Sequence, residues 1–454
     1  MSLLPNPSAP CLSKSMTFGI ELEIIVVSPK NYFKPEDAIV AISRALVAAG
    51  IDSTGHERFD EDAEIFNSKP EFSQWVVQFE GDLFLSETEE AMINVFHTRT
   101  QGVEISSRKF NFAEDWKAEL ETVFKVLYRF SQSGCKLITN ATTGFHIHVG
   151  FGNENVEFRT AKSVLQLCTA FEDRLDALYA TDRIDVDCEA SAENGAHFNA
   201  GLAWHFQNNK ATSFGPNVFH WLASIEEVSS HKELGAFFKN ECPFDDEIMT
   251  TGHFSTVNID NTYSDGHRNF MGTIEFRQHH GTLVLSEVMA HIELKRTIVT
   301  YCHCASDLEF LQLFSQVSIP NFTIRSLCQA IGTRREQIEL YDDAFSVATE
   351  HAQAAKYHDA WAKLEDGKQD ELGDLELRSF IESFHRSNRT AVLTKTQNKR
   401  DKGTYADLTT ADFDVASSYH NFVMMNSAAF PDHQQLSTLA RTMVSQQLNG
   451  SGSS

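Results

Sequence analysis

The chain has 454 residues, 42% of them hydrophobic and 22% charged, a composition that supports a large packed core without covalent staples. Asp and Glu number 63 against 38 Lys and Arg, for a net charge of -25, which argues against nucleic acid and anionic membrane as partners and makes divalent cations the natural counter-charge. Eight cysteines without a C-x-x-C pair read as reduced thiols. Met1–Ser15 has no long apolar run with a basic flank, so the expected location is the cytoplasm, with no membrane span.

In chain order, Thr17–Ile25 is the first regular stretch. Ile20, Leu22 and Ile24 alternate there with Glu21 and Glu23, predicting a half-buried strand with a doubly acidic face. Pro35 and Gly50 bracket a helix through Ile39, Ile42 and Leu46. Glu57–Glu64 reads as an acidic loop and Trp75–Phe79 as a strand, running into Glu80-Gly81-Asp82. Gly102–Ser106 repeats the first design, with Val103 and Ile105 inward and Glu104 and Ser106 outward. Trp116, Leu120, Val123, Leu127 and Phe130 then fall at helical spacing.

Gly144–Gly150 is the next strand, with His146 and His148 side by side opposite Phe145, Ile147 and Val149. One helix is predicted through Val164, Cys168, Phe171, Leu175 and Leu178. Periodicity fades between Thr181 and Asp246. Thr256–Asp260 and Gly272–Gln278 then form a hairpin across a turn at Ser264–Gly266; in the second strand Ile274 and Phe276 alternate with Glu275 and Arg277. A helix runs from Ser286 to Cys304. Cys302-His303-Cys304 ends it, and residues two apart do not share a helix face, which speaks against a metal site there. Leu340–Leu364 and Leu375–Phe384 are helical in pattern, and the chain closes on a Gly-Ser tail.

Any one of these alternations is common as a solvated strand face or a cross-strand ion pair. Four together, each with its acid or base opposite the apolar side, suit more than one divalent cation, because a catalytic Mg2+ uses only a few carboxylates while substrate phosphates complete its shell. Arg277 among them suits an oxyanion. Phosphoryl transfer needs this combination, and no G-x-x-x-x-G-K-[ST] loop is present to hold phosphate otherwise.

FGIELE, GVEISS, TTGFHIHVG and NFMGTIEFRQHHGTL, in that order, resemble the motifs of the amidoligase family, remote relatives of glutamine synthetase and glutamate-cysteine ligase. The likeness spans about Met16 to Cys304. It implies an α+β fold whose curved antiparallel sheet forms an active-site funnel with helices on its outer face. It also implies ATP, two or more Mg2+ (or Mn2+) ions, and a carboxylate activated as an acyl phosphate before an amine attacks. Carried over by motif, Glu23 and Glu104 are similar to ligands of the metal near the acceptor carboxylate. Glu21, His146 and Glu275 resemble those of the metal bridging the nucleotide phosphates, with His148 near the phosphates and Arg277 facing the transferred group. Glu80 or Asp82 is the candidate for a further ligand, and Ser107 stands where the family pattern often has proline.

The expected organisation is an irregular leader over 1–15, a catalytic domain over 16–315, a mostly helical region over 316–440 and a flexible tail over 441–454. The leading expectation is an ATP-dependent carboxylate-amine ligase acting on small-molecule or peptide substrates. The alternatives are a metal-dependent hydrolase using the His/Glu cluster and a catalytically inactive binding protein on the same fold.

Overall fold

The computed structural model describes residues 16–338 apart from 30–34, 57–71, 86–89, 91–97, 132–134, 141, 177, 180–182, 184–201, 203–217, 239, 245–246, 252–254, 264–270, 318–321 and 336. The expected leader, the Glu57–Glu64 loop, the Ser264–Gly266 turn, the helices beyond residue 340 and the tail lie outside the described residues.

Strand β1 (Thr17–Pro29) is the axis of the fold. It is followed by α1 (Pro35–Ala48), β2 (Ser53–His56), β3 (Trp75–Phe79), β4 (Thr98–Ser106), β5 (Phe110–Asn111), α2 (Trp116–Ser131), β6 (Lys136–Ile138) and β7 (Gly144–Gly150). Then come α3 (Phe158–Ala170), α4 (Glu172–Asp176), α5 (Val218–Glu227), α6 (His231–Phe237) and a separate hairpin, β8 (Asn240–Phe244) with β9 (Glu247–Thr251). The described part ends with β10 (Val257–Asn258), β11 (Ile274–His280), α7 (Leu285–Cys304), α8 (Asp307–Phe314) and α9 (Ile324–Ala330).

Among the described residues the main sheet has the order β10-β11-β7-β1-β4-β3-β2, with β5 and β6 also paired to β1. It is open, and its pairings are antiparallel except for β2 with β3 at one edge. The expected antiparallel sheet is therefore present with one parallel pair.

Register follows from the alternation. Ile20 lies opposite Ile147, Leu22 opposite both Ile105 and Phe145, and Phe276 opposite Ile147, so the apolar sets of four strands merge on one face. A slip of one residue in any ladder would turn a strand's apolar set outward, which is why burial of this face fixes the pairing. Helices α1, α2, α3 and α7 cover it, and the stripe Trp116, Leu120, Val123, Leu127 and Phe130 on α2 is buried as its spacing requires. Phe18 anchors one end, stacked on Phe112 and Phe110 at 4.4 and 5.1 Å with Trp116 edge-on at 5.2 Å.

Two expectations are corrected. The single helix expected from Val164 to Leu178 breaks at Phe171, whose backbone (φ -117°, ψ 24°) caps α3 before α4 begins. Phe171 packs against Phe314 and Phe322, and the apolar spacing continues in phase across the break, so the sequence pattern does not register it. The strand expected over Thr256–Asp260 is only Val257–Asn258, and a 3-10 turn takes Asp260–Thr262.

Strand β11 contains an irregularity with large consequences. Phe276 pairs with Ile147 but His279 pairs with Phe145, so three steps along β11 match two along β7. That is a β-bulge at Arg277 and Gln278.

Candidate active site

The face of the sheet opposite the helices gathers the charged residues. Cross-strand pairing sets Glu21 opposite His146, Glu23 opposite Glu104, and Glu275 opposite both His148 and Asn258. All seven expected site residues, Glu21, Glu23, Glu104, His146, His148, Glu275 and Arg277, thus belong to four neighbouring strands; six of them are linked by close polar contacts, and the charges of Glu21 and Glu23 act on Glu104.

Glu21 is its centre. His146 Nδ1 lies 3.2 Å from Glu21 Oε2, and His148 Nε2 lies 3.0 Å from Glu21 Oε1. Glu23 Oε1 and Glu275 Oε1 stand 3.7 and 3.9 Å from His146 Nδ1. The Arg277 guanidinium is paired with Glu275 Oε1. Glu21, His146 and Glu275 each offer one ligand atom within 4.8 Å of the others, a spacing suited to one cation. This oxygen-rich, nitrogen-poor donor set matches a hard or borderline divalent ion.

The protonation states reflect the crowding. Burial alone would lift the Glu21 carboxyl, but the His148 charge and hydrogen bonds to both histidines hold it well below the usual range. Burial alone would lower His148; the charges of Glu21 and Glu275 outweigh it and lift the imidazole to about 9. Burial, then the charges of Glu21, Glu23 and Glu80, pushes Glu104 well above the usual range although Ser106 opposes this. Glu80 is raised to about 7 by burial and next by Glu23. Of the two candidates for a further ligand, Glu80 is therefore the one whose charge reaches Glu23 and Glu104. Asp82 is exposed and gives its backbone N–H to Glu80 Oε1 at 3.4 Å.

These carboxylates are oriented by neighbours that no charge pattern in the sequence marks. Asn258 Nδ2 donates to Glu275 Oε2 at 2.8 Å, Gln78 Nε2 and Ser106 Oγ donate to Glu104 Oε1 at 2.8 and 2.6 Å, and the Gly144 N–H donates to Glu23 Oε2 at 2.5 Å. Asn258 and Gln78 are legible as outward positions of their strands, but an uncharged amide does not stand out there. A Cβ at Gly144 would meet His146 Nε2 at 2.5 Å and Arg183 Nη2 at 2.9 Å, so a larger residue there would push these side-chain ends out of place. His148 Nδ1 lies 3.3 Å from Thr273 Oγ1, on the other side from Glu21. Arg277 is almost wholly buried, and its Nε has no hydrogen-bond partner among the described residues.

Cys302-His303-Cys304 makes no such grouping among the described residues. His303 Nδ1 instead meets Thr160 Oγ1 at 2.8 Å, and its ring packs on Phe151.

Residues 14–190 match the protein family described as "Putative amidoligase enzyme". Over those residues, less than half of its length, the chain is similar to the amidoligase family. The match takes in β1, β4 and β7 but stops short of β11, which the sheet nevertheless sets beside β7. A solved complex between the prokaryotic ubiquitin-like protein Pup and its ligase PafA is similar at 10% identity and a TM-score of 0.32, over 91% of this chain and 83% of that one. That likeness is too remote to bear on function. No curated protein matches the chain. No helix of the described residues is long and apolar enough to cross a membrane.

Proposed function

We propose that the polar face of the sheet is the active site of an ATP- and Mg2+-dependent carboxylate-amine ligase. It would phosphorylate a carboxylate and let an amine displace the phosphate, giving an amide or isopeptide bond. The observation that carries this reading is the convergence of Glu21, His146 and Glu275 within 4.8 Å, beside a buried arginine with an unpartnered Nε. The amidoligase match over residues 14–190 supports it independently.

In this reading Glu21, His146 and Glu275 would hold one cation for the nucleotide phosphates, and Glu23 and Glu104 would contribute to holding a second one for the acceptor carboxylate. Mg2+ (or Mn2+), when bound, neutralises the polyphosphate and aligns its terminal group. The open sheet forms the floor of the funnel. His148, lifted to about 9 and therefore cationic at neutral pH, supplies positive charge to the phosphates. Arg277 has a free Nε and a guanidinium already oriented by Glu275, so it meets charge developing on the transferred phosphoryl group without reorganisation. Asn258, Gln78, Ser106 and the Gly144 N–H fix the carboxylate rotamers on which this geometry depends.

The test is calorimetry of ATP binding with Mg2+ and with excess chelator, joined to ADP release with mixed carboxylates and amines. Binding should need the metal, because the acidic face otherwise repels a polyphosphate. Equal affinity in chelator would sink the proposal. Hydrolysis of a substrate without ATP consumption would favour a metal-dependent hydrolase on the same residues.

A further inference from the structure

A second group of metal-ligating side chains lies on the opposite, helix-covered side of the sheet and takes no part in the site above. The bulge in β11 places His279 there, edge-on to Phe145 at 5.5 Å, with His280 next to it at the strand end. Helix α7 brings Glu287 and, one turn later, His291; residues four apart share a helix face. His279, His280 and Glu287 each offer a ligand atom within 4.8 Å of the others. The His291 ring centroid is 4.3 Å from that of His279.

The surroundings prepare these atoms for a cation. His279 Nδ1 lies 2.7 Å from the His280 carbonyl oxygen, to which it can only donate, so Nε2 keeps its lone pair. That Nε2 lies 3.8 Å from Glu287 Oε1, and His280 Nε2 lies 3.0 Å from the same oxygen. The Thr282 hydroxyl donates to the other Glu287 oxygen at 2.6 Å, orienting the carboxylate and leaving Oε1 turned to the histidines. An imidazole held through one nitrogen by a carbonyl, beside a carboxylate held by a hydroxyl, is the outer-shell pattern of metal ligands.

The independent sign is His291. It is 0% exposed, and neither ring nitrogen has a hydrogen-bond partner among the described residues; His280 Nδ1 is likewise buried without one. A buried imidazole with both nitrogens unsatisfied costs stability, and a hydrogen-bonding explanation would have to supply a partner. Lys295, one turn further along α7, donates instead to the Tyr179 hydroxyl at 2.8 Å.

We propose that His279, His280, Glu287 and His291 form a closed, structural Zn2+ site that ties the end of β11 to α7. Three nitrogens and one oxygen suit four-coordinate zinc better than Mg2+, which favours oxygen and keeps water. The proposal does not depend on the ligase reading.

The test loads the full chain with Zn2+, removes loose ions on a chelating resin and measures retained metal by elemental analysis. About one zinc per chain is expected in the wild type and in Glu275→Gln, falling roughly tenfold or more in His291→Gln and His280→Gln. Wild type without retained zinc overturns the proposal. So does zinc kept by both histidine variants, or lost from Glu275→Gln alone, which would put the ion on the polar face. Should the histidine variants fail to fold, Co2+ added to wild type under excess Mg2+ decides. Strong visible absorption of four-coordinate cobalt supports the site, and its absence overturns it.

Discussion

Strands β1 and β11 carry the same alternation of apolar and charged residues, yet only β1 keeps it. From Glu21 to Pro29 each residue of β1 pairs in unbroken register with β4, so sequence parity alone decides its face. In β11 the alternation is interrupted after Phe276. Glu275, Arg277 and His279 share parity, and an unbroken strand would aim all three at the polar face. The bulge separates them. Glu275 and Arg277 stay with the carboxylates, while His279 turns into the aromatic cluster with Phe145, Tyr179 and His291. A regular strand serves one face, and one extra residue lets β11 serve both.

The most direct way to break that comparison is to remove the extra residue. Deleting Gln278 removes the extra step, so that His279 follows Arg277 directly and stays opposite Phe145 in unbroken register, but it pulls the strand tight across the bulge and removes the Gln278 contact to Asp176. A loss of about 1–3 kcal/mol is expected in urea unfolding, the range for a buried hydrogen bond removed together with local backbone adjustment. Near-normal stability would mean that the bulge is incidental.

Arg277→Lys tests the front half of the same strand. It keeps the charge near Glu275 but loses the planar fork, so kcat should fall by roughly 10³-fold with melting temperature little changed. Arg277→Ala is the poorer probe, since it strands the buried Glu275 carboxylate at a cost of about 3–5 kcal/mol. Single-turnover phosphoryl transfer measured beside thermal melting separates these outcomes.

On the β1 side, the burial of Glu80, and next the Glu23 charge, predict a pH dependence in the metal-free protein. Glu80 is raised from its ordinary 4.5 to about 7 in the folded state. A raised folded value means that its stabilising contribution is complete below about pH 4.5 and is lost as pH rises through 7. Melting in chelator should therefore fall across that window more in wild type than in Glu80→Gln, and Mg2+ should shrink the difference. Identical pH profiles for the two proteins would discount the shift.

The smallest expected effect is Ser106→Ala. It removes one of two donors from Glu104 Oε1, leaving Gln78. About 1 kcal/mol of stability should go, with activity reduced modestly rather than abolished.

Much of this arrangement is legible in the amino-acid sequence, because strand parity is a local property. Glu21 and Glu23, His146 and His148, and Glu275 and Arg277 each declare a face by alternating with Ile, Leu, Val or Phe. The order of the strands is not legible, since nothing in the sequence of β7 says that β1 and β11 flank it. The bulge is equally hidden: Arg277-Gln278-His279 reads as ordinary alternation, and only the pairing with β7 exposes the additional step. The break at Phe171 escapes notice because the apolar period stays in phase across it. Asn258 and Gln78 carry no charge to mark them, although each positions a carboxylate.

The central place of β1 also sets a timetable for biosynthesis. Its acidic residues emerge from the ribosome early, but the His146 that meets Glu21 follows 125 residues later. At about 5–20 residues per second, that is a wait of roughly 6 to 25 s. During it, the apolar side of β1 has neither β7 nor α7 to cover it. Glu21 and Glu23 are then bare charges alternating with Ile20, Leu22 and Ile24, which keeps a long β-prone segment soluble while its partners are being made. The carboxylates that later gather on the polar face thus first serve as gatekeepers of the nascent chain.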